Sequence, residues 1–330
     1  LLPVAASICN DVDVDAKGRL PDRPLKPMLG DMKAHGLTFS QDKPPFTMTG
    51  CLQGGEFGMV GDVSSQFFSG LLLAAPQCGG ATITSTTPLQ SSDYVTLTTT
   101  TMADFGVTVD HTPAADTVQE SFTVAANATF KGQSNYQIEG DWSNTAIWMV
   151  AAGMTGKPIT ITGMNKNSVQ ADRRIMQIMI DAGCDVVWDG MNVTVMGRAV
   201  KPIHADLEQM PDMLPVMAAL ACSIHGESSF VKGARLRLKE SDRLEAVANL
   251  VRDLGGTVRE DGDDLYIIGS GILEGGQGDC VNDDRLVMAG TLMALISENP
   301  VTLKDSKAIT KSYPDFFEDW NLLGGNANGI

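Results

Sequence analysis

One helix-opening pattern recurs four times along this chain, and it restricts what the chain can fold into. The segments GDVSSQFFSGLLLAAP, GDWSNTAIWMVAAG, PDMLPVMAALAC and NDDRLVMAGTLMALI each set a loop ending in aspartate before a run rich in Ala, Leu and Met. The lead aspartates Asp62, Asp141, Asp212 and Asp283 are spaced by 79, 71 and 71 residues. A second series interleaves with the first. The stretches KAHGLTF, ADFGVTV, DAGCDVV and DLGGTVR end amphipathic segments at Gly36, Gly106, Gly183 and Gly255, spaced by 70, 77 and 72 residues. Glycine suits the first position beyond a helix, where φ is positive and a Cβ would clash. The runs that follow alternate Thr and Val as strands do. Each unit is therefore expected to read Asp loop, buried helix, strands, amphipathic helix, glycine stop, strands. A unit of about 70 residues is too long for the usual solenoids and suits helices packed on one sheet. In this register the opening LLPVAASIC is a buried helix without its Asp loop, so the sequence is expected to start partway through a unit.

Bulk properties narrow the class of molecule. With 330 residues, one large or two ordinary domains are expected. A hydrophobic content of 43% with 19% charged residues excludes a disordered chain. The net charge of -16 and pI near 4.5 argue against nucleic acid or an anionic membrane as the main partner. A local basic pocket for a small anion stays compatible with that surface. Six scattered cysteines without a CxxC point to reduced thiols in a cytoplasm-like compartment. No apolar run approaches a membrane span, and because the sequence opens on Leu1, the lack of a leader says little.

Standard signatures mostly fail. GMTGKP lacks the spacing and hydroxyl of a phosphate-binding Walker loop, and neither GxGxxG nor HExxH occurs. The four histidines are scattered, which disfavours zinc. DVDVDAKGRLPD imitates a calcium loop, but Ala16 and Asp22 stand where Gly and Glu are required, so a short strand and turn are expected. The octapeptide RLKESDRL is different. It sets Arg237, Lys239, Glu240, Asp242 and Arg243 at the expected start of a helix continuing EAVANLVRDLGG. Cations oppose the dipole there unless they face an anion with the backbone N–H groups. The competing account is a capping segment with solvated ion pairs worth little. Arg19 and Arg23, Arg285 and Lys311 recur in other loops, and Ser64 and Ser65 open a helix where a phosphate would sit. Asp212 opens another helix and is a candidate base. Together these suggest a cleft for phosphorylated or carboxylated substrates.

RLKESDRL, GDVSSQF, the NDDR segment and KSYPDFF look like the successive motifs of the 5-enolpyruvylshikimate-3-phosphate synthase family, in that family's order. GRLPDRP is similar to its Arg-x-x-x-Arg-Pro segment, and YQIEGDWSNTA to its domain-crossing Glu-Gly-Asp segment. The chain resembles this branch of the enolpyruvyl transferases from residue 1 to about residue 325. The resemblance implies an α/β fold of two domains built from βαβαββ units, an inside-out α/β barrel. Residues 1–138 would be the remainder of the first domain and 139–330 the second. It implies transfer of the enolpyruvyl group of phosphoenolpyruvate to the 5-hydroxyl of shikimate 3-phosphate, with phosphate released. No cofactor or metal is implied, and a monomer acting on small molecules in the cytoplasm is, with a plastid left open. Ser64, Ser65 and Ser91 would hold the shikimate phosphate, with Gln66 between the substrates, and Tyr94 and Arg235 beside the shikimate. Arg19, Arg243, Arg285 and Lys311 would bind phosphoenolpyruvate. Asp212 would take the hydroxyl proton, and Lys239 would contact the shikimate side. Glu240 would protonate the methylene carbon, for which burial would have to raise its pKa.

Three departures matter. The family's N-terminal Lys-Ser segment and Gly-Asn-Ala-Gly-Thr loop have no counterpart, so the sequence as given is expected to show little transferase activity alone. Asp284 stands where the family usually has His, and an acid there either weakens the hold of Arg285 or orients it. Arg235 falls at a position that varies. Replacing Lys239 or Arg243 by Ala in a completed sequence is expected to abolish activity without unfolding. Rival assignments are a relative acting on UDP-N-acetylglucosamine through a reactive cysteine, a non-catalytic anion-binding or structural remnant, and one domain of a multifunctional chain.

Overall fold

A computed structural model describes residues 1–116 and 119–328. It divides into two compact units, Leu1–Gln137 with Val169–Ala171, and Ile138–Ser168 with Asp172–Ile330.

The first unit opens with α1 (Leu2–Ile8), β1 (Asp11–Val14), α2 (Lys26–Ala34), β2 (Leu37–Phe39) and β3 (Phe46–Gly50). The three strands pair antiparallel in the order β1-β3-β2. The segment that imitates a calcium loop is thus the expected short strand and turn. Next come β4 (Gly55–Met59), α3 (Ser65–Ala74), β5 (Ala81–Ser85), α4 (Ser92–Asp104), β6 (Val109–Thr112) and β7 (Ser121–Val124). They form a βαβαββ unit with strand order β4-β5-β7-β6, parallel between β4 and β5 and antiparallel elsewhere. Helix α3 is apolar nearly all round, and Phe67, Phe68, Leu71 and Leu72 are buried. It lies against α1 at Gly70, where a Cβ would come within 3.2 Å of the Pro3 ring.

The second unit opens with α5 (Trp142–Thr155), β8 (Ile159–Ile161), α6 (Ile175–Asp181), β9 (Asp185–Asp189) and β10 (Asn192–Met196), an antiparallel sheet of order β8-β10-β9. A βαβαββ unit follows: β11 (His204–Asp206), α7 (Leu214–Ser223), β12 (Gly226–Val231), α8 (Arg243–Asp253), β13 (Thr257–Asp261) and β14 (Asp264–Gly269). Its order, β11-β12-β14-β13, repeats that of β4 to β7, including the parallel first pair. Last are β15 (Gly276–Asp279), α9 (Asp284–Met293) and β16 (Val301–Lys304), with the strands parallel, and α10 (Phe316–Leu322).

The sequence repeat maps onto this alternation. Helices α5, α7 and α9 follow the aspartate loops and pack on one another. Every residue of α7 is buried, which is why these helices read as apolar runs rather than stripes. The other helices are faced. In α8, Leu244, Val247, Leu250 and Val251 are buried while Glu245, Asn249 and Arg252 are exposed. Each such apolar side chain contributes about 1.5–3 kcal/mol on burial. The stop glycines after α2, α4, α6 and α8 have φ of +96°, +83°, +108° and +85°, as the repeat requires.

Candidate active site

In the first unit the serines stand where two helices begin. Ser64 is the N-cap of α3, its Oγ accepting from Gln66 N–H at 3.3 Å. Ser65 is buried and Gln66 exposed. Ser91, buried, precedes α4 with φ of +53°. That left-handed conformation costs a non-glycine residue about 1 kcal/mol or more. Tyr94 lies in the first turn of α4. The loops before the two helices are laced together. Thr87 Oγ1 donates to Asp62 at 2.9 Å and accepts from Gly61 N–H at 2.8 Å, and Gln90 N–H donates to Gly61 O at 3.0 Å. Gly61 has no room for a side chain, since a Cβ would lie 2.6 Å from Thr87 O. Backbone N–H groups and hydroxyls at two joined helix starts suit a phosphate. Asp62, expected to lead α3, instead ties these loops and leaves the cap to Ser64. Arg19 is exposed at the head of the 3-10 turn Leu20–Asp22.

In the second unit the starts of α5, α7 and α9 converge on one cluster of charge. Asp212 lies in the 3-10 turn Pro211–Met213 leading into α7. Lys239 Nζ lies 3.1 Å from its Oδ1 and Arg243 Nη1 2.5 Å from the same oxygen. Arg243 is buried, its side chain 3% exposed, and it also donates to Glu240 at 2.8 Å and to Asp283 at 2.8 Å. Asp283 is the N-cap of α9, accepting from Arg285 N–H at 3.0 Å, and takes a further bond from Ser241 Oγ at 2.9 Å. Arg285 reaches across to α5, donating to Asn144 Oδ1 at 3.1 Å. Asn144 in turn donates to Ser312 O at 3.2 Å. Lys311, exposed, donates to Asn282 O. The turn Ala234–Leu238 carrying Arg235 packs on the turn of Asp212.

The octapeptide is therefore not one helix start. Helix α8 begins at Arg243, because Asp242 within the octapeptide is the cap, accepting from Glu245 N–H at 3.2 Å. Lys239 and Glu240 lie in the bend before it. Arg237 follows the capping account: it pairs with Asp242 at 3.1 Å and Asp263 at 2.9 Å, and donates to Gly262 O in the β13–β14 turn. Glu240 is only partly enclosed. Its side chain is 36% exposed and pairs with Arg243 at 2.8 Å.

Charge sets the proton affinities. Burial pushes Asp212 up, but Lys239, Arg243 and Arg285 more than offset this and hold its carboxyl well below the usual carboxylate range. Asp172, which sequence reasoning missed, moves the other way. Burial and then the charge of Asp212 push it up to about 6, against the bond from Ser143 Oγ and the charge of Arg285. Its Oδ1 has no hydrogen-bond partner among the described residues. Asn144 was missed too, although it sits three residues after Asp141, as Ser65 does after Asp62. No periodic signal marks Asp172. Among the described residues no group of His, Cys, Asp and Glu is arranged to hold a metal ion, and no helix is long and apolar enough to cross a membrane.

Residues 1–320 match the family described as EPSP synthase (3-phosphoshikimate 1-carboxyvinyltransferase). The chain belongs to the EPSP synthase family. A 3-phosphoshikimate 1-carboxyvinyltransferase of Clostridium kluyveri is 36% identical over 98% of this chain and 75% of its own length. That of Methanocorpusculum labreanum is 33% identical over 99% of this chain and 76% of its own length. The fold is that of EPSP synthases. The Acinetobacter baumannii EPSP synthase superposes with a TM-score of 0.76 at 21% identity, over 97% of this chain and 76% of that one.

Proposed function

We propose that the full-length protein carries out the reaction for which the relatives of this chain are named, moving the enolpyruvyl group of phosphoenolpyruvate to the 5-hydroxyl of shikimate 3-phosphate and releasing phosphate. The observation that supports this best is the gathering of Lys239, Arg243 and Arg285 around Asp212 at three helix starts. Two polyanions repel each other, and fixed cations with helix N-termini offset that repulsion. In this proposal Ser64, Ser65 and Ser91 hold the shikimate phosphate, with Gln66, Tyr94 and Arg235 beside the shikimate. Arg19, Arg243, Arg285 and Lys311 hold phosphoenolpyruvate. The first compact unit is what the chain contains of one domain and the second is the other. The protein acts as a monomer in the cytoplasm on small molecules. Its net charge of -16 speaks against nucleic acid.

The ion pairs suggest how the proton transfers are timed. Asp212, held strongly ionised by its cations, is a weak base while they lie on it. Substrate anions that draw Lys239 and Arg243 toward themselves raise its basicity. Asp212 then takes the 5-hydroxyl proton as the oxygen bonds to C2 of phosphoenolpyruvate. Glu240 loses Arg243 to the same anion, becomes protonated, and gives its proton to the methylene carbon. The C–O bond to phosphate then breaks, and Glu240 recovers a proton from the methyl group to leave the enol ether. Loss of a counterion does what burial was expected to do. A cysteine-dependent relative has less support: burial pushes Cys184 up to about 11 and Cys222 and Cys280 up to about 12, away from reactive thiolates.

With the full-length protein, calorimetry with shikimate 3-phosphate, followed by phosphoenolpyruvate on the loaded protein, tests binding, and phosphate release tests turnover. Both ligands are expected to bind. Asp212→Asn is expected to keep binding while phosphate release falls by about 10²–10⁴. No heat with either ligand overturns the anion site, and parent-like turnover in Asp212→Asn overturns its role as base.

A further inference from the structure

Asp284 is the first residue of α9 and is buried, 7% exposed. Its Oδ1 lies 4.0 Å from Arg243 Nη2 and its Oδ2 3.9 Å from Arg285 Nε. It forms a direct hydrogen bond with neither guanidinium, and its partner is Ser312, whose Oγ donates to Oδ2. The contacts close a ring. Ser312 O accepts from Asn144, Asn144 Oδ1 accepts from Arg285, and Arg285 returns to Asp284. The ring joins the first turns of α5 and α9 to the end of the 3-10 turn Ser306–Lys311, fixing the backbone next to Lys311. The neighbouring carboxylates have other duties. Asp212 and Glu240 bond directly to Arg243, and Asp283 does so while capping α9. Asp284 alone among these four stands near two cations while its nearest bond goes to a neutral hydroxyl.

We propose that Asp284 is a positioning residue that sets the affinity of this site for its anionic three-carbon substrate. Its carboxylate lies between Arg243 and Arg285, so its charge competes with that of the incoming carboxylate or phosphate. Through Ser312 it keeps Lys311 in register with the start of α9. Charge and tether act in opposite directions: one weakens substrate binding, the other orders the groups that receive it. This assignment rests on the proposed binding of phosphoenolpyruvate to these cations.

Two variants of the full-length protein separate the components. Asp284→Asn keeps an acceptor for Ser312 and removes the charge. It is expected to lower KM for phosphoenolpyruvate about tenfold with kcat within about twofold of the parent. Ser312→Ala leaves the charge and removes the tether, and is expected to lower kcat about tenfold without lowering KM. The dissociation constant of phosphoenolpyruvate on the shikimate 3-phosphate-loaded protein, from calorimetry, should follow KM in both. An unchanged or higher KM and dissociation constant in Asp284→Asn overturns the proposal, as does the same KM-against-kcat pattern in both variants. Thermal melts identify a variant that fails to fold, and calorimetry on the folded fraction still decides the charge effect. If the parent does not bind phosphoenolpyruvate at all, the functional assignment fails, which is a different result from a parent that binds and an Asp284→Asn that binds no tighter.

Discussion

Replacing Arg243 by methionine removes the cation shared by Asp212, Glu240 and Asp283 while keeping an unbranched apolar stem in its space. Asp283 is fully buried and Arg243 nearly so, so the change strands a carboxylate in a poorly solvated site. Breaking a buried pair from one side costs about 3–5 kcal/mol. Asp283 retains Ser241 Oγ and the backbone N–H of Arg285, which places the cost near the lower end, about 3 kcal/mol. That is a fifth to three-fifths of the stability of an ordinary domain, about 5–15 kcal/mol. The four tryptophans, Trp142, Trp148, Trp188 and Trp320, all lie in the second unit, so their fluorescence in urea reports on that unit alone. With a slope of about 2–3 kcal/mol per molar urea, the midpoint should fall by about 1–1.5 M. Adding Asp283→Asn should recover about half of the loss, because the stranded charge is then gone. A midpoint within about 0.3 M of the parent, or no recovery in the double variant, would refute the account. A replacement expected to leave the protein folded thus still carries a measurable stability cost. Lys239→Ala, at a side chain 23% exposed, separates binding from folding more cleanly.

The proton affinity of Asp172 gives a pH test. Held at about 6 against 3.8 for a free side chain, it keeps its proton longer in the folded state. The stability it contributes is full below about pH 4 and lost as pH climbs through about 6. Asp172→Asn mimics the protonated acid, so calorimetric melting should match the parent near pH 4 and rise by about 3–6 °C near pH 8; equal shifts at both would contradict this. Ser64→Ala should cost about 1 kcal/mol as a lost cap and weaken shikimate 3-phosphate binding about tenfold. An unchanged dissociation constant would confine Ser64 to capping. Thiol labelling followed by peptide mass spectrometry should find Cys9 and Cys51, both exposed, modified in the native protein, and Cys184, Cys222 and Cys280 modified only after unfolding. Early modification of Cys280 would contradict the burial of the loop before α9.

The repeat was legible because burial and geometry both leave marks on sequence. Helices enclosed on every side, such as α7, must be apolar throughout, and stop glycines such as Gly255 are needed where φ is positive. The clusters of Asp212 with Arg243 and of Ser64 with Ser65 were legible for a related reason: polar residues at the starts of buried helices need a partner. What was not legible depended on pairings far apart in sequence. Arg237 meets Asp263 only because the β13–β14 turn folds back on it. Asp172 becomes unusual through its burial and then its nearness to Asp212. The start of α8 was misread because RLKESDRL contains its own cap, and a cap at Asp242 looks like any other charge until the backbone is seen to turn there.

The carboxylates gathered around Arg243 carry one more consequence. The second unit already contains anions of its own where substrate anions are proposed to bind, so association there is an exchange of one set of counterions for another. Net attraction for a ligand is then the difference between two strong interactions, and it can be adjusted by small changes in the internal set while the cations stay fixed. Carboxylates released from their cations hold protons more tightly, so a ligand arriving at this site brings hydrogen ions with it, and its apparent affinity depends on the acidity of the surrounding solution.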